Sequence, residues 1–259
     1  MIPAPFISMR GVSKIYESRS GPARAVQETT IDIRRGEFVC IVGPSGCGKT
    51  TLLNILAGFV VPSSGTITLD GRPVTEPGPD RGVVFQDFGL FAWLTARKNV
   101  EFGLKIAGVP QIERTRRAEQ ALALTGMLAF ADRYPGELSG GMKQRIGLAR
   151  VLANNPDVLL MDEPFGALDA QTRALMQQEL LTVWEGSGKT VLFITHAVDE
   201  AVLMADRILV MTANPGRVKA EIAVELPRPR DENSASFNEL EREIKDMVLR
   251  EARIAEQAL

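Results

Sequence analysis

Phe38-Val39-Cys40-Ile41-Val42, then Gly43-Pro44-Ser45-Gly46-Cys47-Gly48-Lys49-Thr50, then Thr51-Leu52-Leu53-Asn54-Ile55-Leu56: this run reads as a buried strand, a glycine-rich loop and a helix with an apolar face. The loop fits G-x-x-x-x-G-K-[ST] at every fixed position, and its two flanks are the context that motif needs. A glycine turn that merely caps a helix accounts for neither the buried strand nor the complete motif. Gly43, Gly46 and Gly48 allow the backbone to curl until its N–H groups converge on one concavity. The helix that starts near Lys49 adds the positive end of its dipole, so the site suits phosphate. Lys49 is expected to reach the β- and γ-phosphates, and the Thr50 hydroxyl to help hold Mg²⁺. The expected ligand is a nucleoside triphosphate, cradled from Gly43 to Thr51.

Working outward, a chain of 259 residues can hold one large domain, or a domain with a subdomain, and bury a sizeable core. Hydrophobic content of 45% and charged content of 24% are ordinary for a globular protein. A formal net charge of −2 gives no support for a general nucleic-acid-binding surface, and no nucleic-acid partner is expected. No apolar run approaches the ~18–20 residues of a membrane span. Met1-Ile2-Pro3-Ala4-Pro5-Phe6 lacks a basic region followed by an apolar one, so a cytoplasmic location is expected. Of the two cysteines, Cys40 lies mid-strand and reads as core. Cys47 lies in the phosphate loop, and a disulfide between the two would destroy that loop. Its position near Lys49 and a helix N-terminus predicts a thiol more acidic than a free one, alkylation that inhibits, and protection by ATP.

The flanking sequence predicts a short strand over Ile7 to Tyr16 and a half-buried strand over Arg24 to Arg34, where apolar and polar residues alternate. Thr66-Ile67-Thr68-Leu69 and Gly82-Val83-Val84-Phe85 read as further strands between turn residues. From Asp87 to about Arg133 the pattern turns helical, with helices predicted over Ala96 to Ile106 and Gln111 to Leu124. Buried strands return at Val158-Leu159-Leu160-Met161, Val191-Leu192-Phe193-Ile194 and Arg207-Ile208-Leu209-Val210-Met211. Strands alternating with helices predict an α/β fold with a mostly parallel sheet, here joined by an antiparallel β region and a helical insertion. Pro227-Arg228-Pro229-Arg230-Asp231 reads as an extended linker. Phe237 to Leu259 reads as one helix that packs on the core through Phe237, Leu240, Ile244, Met247, Val248 and Ile254. The expected division is a nucleotide-binding core over 1–86 and 154–226, a helical subdomain over 87–153, and the linker with its helix over 227–259.

Two further motifs narrow the chemistry. Leu138-Ser139-Gly140-Gly141-Met142-Lys143-Gln144-Arg145 opens a long apolar-faced helix, with Ser139 placed to cap it and two glycines leaving N–H groups unobstructed. Val158 to Met161 then delivers Asp162 and Glu163 at the carboxyl end of a buried strand, where parallel sheets place ligands. With these motifs on the page, the chain resembles the nucleotide-binding ATPase subunit of an ABC transporter over nearly its full length. Gly43 to Thr50 matches the Walker A motif, Leu138 to Arg145 the ABC signature, and Val158 to Glu163 Walker B. Gln86 matches the Q-loop glutamine, Ala167-Leu168-Asp169 the D-loop, and His196, the only histidine in the chain, the switch histidine. Tyr16 stands where the family places an aromatic that stacks on adenine.

The resemblance implies roles. Asp162, with Thr50 and Gln86, would hold Mg²⁺; Glu163 would be the general base; His196 would hold the γ-phosphate; Lys49 would neutralise charge developing in the transition state. It also implies that Ser139, Gly140 and Gly141 face the ATP of a second copy in a head-to-tail dimer that closes on ATP and reopens after hydrolysis. Phe85 to Leu94 is unusually aromatic. It would be core of the helical insertion or, by resemblance, part of a groove for a membrane permease. Phe85 to Leu94, Met211 to Arg217 and Glu225 to Asp231 together resemble the importer group for nitrate, sulfonates and taurine. In that group ATPases work at the cytoplasmic face of the membrane with permease subunits and, indirectly, a solute-binding protein. A soluble ABC ATPase acting on ribosomes or DNA is the alternative. A small-molecule kinase would leave Ser139 to Gly141 and Glu163 unexplained.

Overall fold

The computed structural model describes residues 4–18, 21–85, 89–166, 168–213 and 215–257. In chain order its first elements are β1 (Ile7–Ser18), β2 (Gly21–Ile33), β3 (Phe38–Val42), α1 (Lys49–Ala57), β4 (Ser64–Leu69), β5 (Arg72–Pro73) and β6 (Arg81–Val84). Then come α2 (Ala96–Ile106), α3 (Gln111–Leu124), α4 (Gly140–Ala153), β7 (Val158–Asp162) and α5 (Ala170–Ser187). The last are β8 (Thr190–Ile194), α6 (Val198–Met204), β9 (Arg207–Met211), β10 (Val218–Ala223) and α7 (Ala235–Gln257). Two compact units contain them: Met1–Gly78 with Thr190–Leu259, and Pro79–Lys189.

In the first unit, β3 is completely buried and pairs in parallel with β8 on one side and β9 on the other. Its five residues carry no polar side chain, which is what a strand covered on both faces requires. β10 adds antiparallel to β9 at the edge. A separate antiparallel sheet runs β2-β1-β4-β5; β1 pairs with β2 and β4 at once, and the register shifts along β1 fall between Met9 and Ile15. β1 and β2 extend beyond the residues predicted, with Glu17 opposite Pro22 and Ser18 opposite Gly21. α7 docks through Phe237 and Ile244, both buried. The expected apolar face fails at Ile254, which is 54% exposed, while Glu251 is buried in its neighbourhood and paired with Lys219 at 2.6 Å.

In the second unit, β6 and β7 pair in parallel, and α2, α3 and α4 close around Val100, Leu104, Leu122, Ile146 and Ala149. α2 begins where predicted because Thr95 accepts a hydrogen bond from the Lys98 N–H at 3.3 Å. Asn99, fully buried in α2, donates to the carbonyls of Phe91, Leu94 and Thr95 and accepts from the Phe91 N–H. It thereby folds the aromatic turn of residues 91–95 back onto the helix.

Candidate functional site

The phosphate loop leaves the carboxyl end of β3 and returns as α1. Gly48 stands at φ +90° immediately before the helix, and a Cβ there would lie 2.6 Å from the Ala25 carbonyl oxygen of β2. Only glycine combines that torsion with that approach. Gly43, Cys47 and Lys49 are buried, Pro44, Gly48 and Thr51 are half-buried, and Ser45, Gly46 and Thr50 are exposed along the outer rim. The Lys49 ammonium bends back over the loop, donating to the carbonyls of Gly43 at 2.8 Å and Pro44 at 3.0 Å, and lies 3.7 Å from Cys47 Sγ. A flexible cation held above a concavity of N–H groups is suited to phosphate oxygens.

The expected acidity of Cys47 does not hold. Its side chain is wholly buried against the loop, and burial pushes the thiol pKa up despite the opposing pull of Lys49. The predicted alkylation with ATP protection is replaced by slow labelling in the folded protein. Iodoacetamide at pH 7, read by mass spectrometry, should modify Cys47 far more slowly than in denaturant; equal rates would show an accessible thiolate.

Two sequence-predicted residues accompany the loop within this unit. The parallel register pairs Ile41 with Ile194, and the Thr195 N–H donates to the Ile41 carbonyl at 3.3 Å. His196 is therefore set just past the same sheet edge from which the phosphate loop departs, and its side chain is exposed. Tyr16 lies on β1 opposite Ala23, two residues before the Ala25 carbonyl that confines Gly48. Its ring is 40% exposed, and Lys14 Nζ lies over one face, 5.1 Å from the centroid.

Sequence reasoning overlooked Gly216. The loop after β9 inserts beside β2: Gly216 donates to Ala25 O at 3.3 Å and accepts from the Gln27 N–H at 2.8 Å. A Cβ on Gly216 would stand 1.7 Å from the Cys47 carbonyl oxygen. This glycine therefore braces the back of the phosphate loop. The motif Met211 to Arg217 contained the signal, since a Pro-Gly pair after a buried strand marks a tight turn.

The second unit carries the remaining residues. Ser139 caps α4, its hydroxyl accepting from the Met142 N–H at 3.3 Å, and Ser139 and Gly140 are exposed. Gly141 is pressed against α5, where a Cβ would meet Thr172 at 2.7 Å. α5 is capped in turn by Asp169, whose carboxylate accepts from the Thr172 N–H at 3.0 Å and its hydroxyl at 2.7 Å. Those two bonds hold the Asp169 carboxyl below the usual range, the backbone N–H contributing most. Asp162 ends β7, and Glu163 follows in a left-handed conformation at φ +47°. A side chain there costs on the order of 1 kcal/mol. The Glu163 carbonyl accepts from Gly166 at 3.2 Å, and buried Phe165 anchors the turn. Gln86 and Ala167 lie outside the described residues. Among the described residues no group of three or more His, Cys, Asp or Glu side chains is arranged for a metal ion.

A phosphate loop at the end of a parallel strand, a glycine-flanked helix cap and a strand ending in two carboxylates define a P-loop nucleotide-binding ATPase. The family model for ABC transporters matches residues 26–166, and the chain belongs to that family as an ATP-binding, ATP-hydrolysing cassette. An uncharacterized ABC transporter ATP-binding protein of Methanocaldococcus jannaschii is 48% identical over 94% of this chain and 93% of its own length. A nitrate import ATP-binding protein of Synechocystis is 48% identical over 85% of this chain and 83% of its own. A taurine import ATP-binding protein of Mesorhizobium japonicum is 51% identical over 83% of this chain and 82% of its own. The chain is similar to the dimeric structure of a post-hydrolysis state of an ATP-binding cassette bound to ADP and Pi. There the TM-score is 0.76 at 34% identity, over 85% of this chain and 99% of that one.

Proposed function

We propose that this chain powers an importer for a small solute of the nitrate, sulfonate or taurine kind, working as a pair of copies at the cytoplasmic face of a membrane beneath permease subunits. The observation that carries transport, beyond ATP hydrolysis, is an exposed aromatic groove on the helical unit. Phe91 packs on Phe102 at 4.5 Å and on Trp93 at 5.4 Å, Arg150 lies 5.9 Å over the Phe91 ring, and Trp93 is 74% exposed. The groove has a volume of about 350 Å³ and is lined by Val83, Phe91, Phe102, Arg150 and Val151. A mostly apolar groove of this kind suits one face of an amphipathic helix from a permease. Among the described residues no helix is long and apolar enough to cross a membrane.

Within the ATPase, Lys49 and the N–H groups of residues 43–51 would hold the β- and γ-phosphates, and Tyr16 would stack on the base. Glu163 would take a proton from the attacking water, and His196 would hold the γ-phosphate while it leaves. The Thr50 hydroxyl, the Asp162 carboxylate and the Gln86 side chain are each hard oxygen donors of the kind Mg²⁺ takes beside phosphates, and would hold it. When bound, Mg²⁺ supplies charge neutralisation on the phosphate oxygens. Ser139, Gly140 and Gly141 would address the ATP of the second copy.

Affinity purification from detergent-solubilised membranes of the native host, with mass spectrometry of what accompanies the chain, tests this reading. A polytopic permease in about equal amount is expected, and Trp93→Ala should sharply reduce its recovery. Ribosomal proteins, DNA-bound partners, or no partner would leave the ATPase and remove the case for transport.

A further inference from the structure

The linker motif Leu226-Pro227-Arg228-Pro229-Arg230-Asp231 has no place in ATP binding, yet its two arginines are among the most heavily bonded side chains in the first unit. Arg230 Nη1 donates to the carbonyls of Val202 at 2.7 Å, Leu203 at 3.1 Å and Ala205 at 2.7 Å. Its Nη2 and Nε reach Val224 O at 3.3 Å and Leu226 O at 3.1 Å. Arg228 Nη2 donates to Met204 O at 2.6 Å, and its Nη1 to Asp206 Oδ1 at 2.6 Å. Asp206 Oδ2 in turn accepts from the Phe38 N–H at 2.9 Å, at the start of β3.

These carbonyls are the open end of α6. The Ala201 carbonyl is satisfied within the helix by the Ala205 N–H at 2.9 Å, and the next four receive the two guanidinium groups. α6 has only seven residues, too few to stand without such support, and cations at its carboxyl end also favour its dipole. The other end of α6 is tied to Thr195, the residue before His196. Thr195 Oγ1 donates to Glu200 Oε2 at 2.6 Å and accepts from the Ala197 N–H at 3.0 Å, with Thr195 and Glu200 both buried. The residues on either side of His196 are thus pinned to α6, and α6 is pinned to the linker.

We infer that Arg230, assisted by Arg228, is a positioning residue for His196, acting through α6 and the Thr195–Glu200 hydrogen bond. This rests on the proposed role of His196. The segment after the last strand therefore belongs to the ATPase mechanism and is more than a tether for α7. Burial pulls the Arg230 guanidinium down to about 10, aided by Arg228, so it remains charged at neutral pH.

The test is a double-mutant cycle on ATP hydrolysis by the full chain, with His196→Ala, Arg230→Ala and both together. Arg230→Ala should lower kcat roughly tenfold, inside the ~100-fold that a displacement of about 1 Å can cost, with KM for ATP changed less than about twofold. In the His196→Ala background the same change should have little further effect, and Arg230→Lys should recover part of the loss. Thr195→Val reads the other end of α6 and should reproduce the kcat loss even where Arg230→Ala folds poorly. Multiplicative losses in the double variant, or wild-type kcat in Thr195→Val, would overturn the inference. Unchanged hydrolysis in His196→Ala alone would instead overturn the proposed role of His196.

Discussion

Glu163→Gln should bind ATP normally and hydrolyse it at least about 100-fold more slowly, the loss expected when a general base is replaced by its uncharged isostere. The substitution keeps size and polarity at a position whose backbone is already held at φ +47°, so the turn that aims the side chain is retained. Lys49 and the phosphate loop are unaltered, and ATP affinity should stay within about twofold of wild type. If the signature helices of two copies enclose the nucleotides, ATP should accumulate the variant as a dimer, because closure is no longer undone by hydrolysis. Size-exclusion chromatography with and without ATP reads this directly. Retention of most of the activity would remove Glu163 from the base role. A monomer in saturating ATP, with catalysis lost, would contradict the sandwich for the isolated subunit.

Gly216→Ala should be nearly as damaging, although residue 216 lies 168 positions beyond Gly48 and touches no phosphate. The added methyl would sit 1.7 Å from a backbone oxygen of Cys47, a contact that no side-chain rotation can relieve. Either the loop leaves β2, losing the bonds to Ala25 and Gln27, or the phosphate loop is displaced. Overpacking of this kind costs about 1–3 kcal/mol. We expect a lowered melting temperature together with at least a tenfold loss of ATP affinity, equivalent to about 1.4 kcal/mol. Thermal denaturation paired with nucleotide titration separates the alternatives. Wild-type affinity in a destabilised protein would mean that the loop of residues 212–217 absorbs the strain and the phosphate loop does not.

The contrast between Gly48 and Gly216 marks where local sequence stops being informative. Gly48 belongs to a contiguous motif whose chemistry is local, so its role can be read from eight residues. Gly216 acts through a surface brought to it by the fold, and nothing in its neighbours names Cys47. The same division runs through the elements. α2, α3 and β9 fall over the residues expected, because a helical pattern of residues and an unbroken apolar run are local signals. β10 went unread because it is an edge strand with no fully buried residue, so its hydrophobic period is faint. Cys47 was misjudged because its neighbours in sequence favour the thiolate while its surroundings in space exclude water. Arg228 and Arg230 read only as part of an extended linker and of a family resemblance, and their partners, the carbonyls of α6, are invisible to any pattern of side chains.

Uptake by the purified complex tests the central claim most directly. The chain and its co-purifying permease, reconstituted in vesicles with ATP on the side of the ATPase, should move a small solute from a panel containing nitrate, taurine and other sulfonates. That uptake should require ATP and disappear with Glu163→Gln while ATP binding persists. ATP hydrolysis by the complex with no solute moved, or uptake indifferent to Glu163→Gln, would contradict the claim that this cassette powers import.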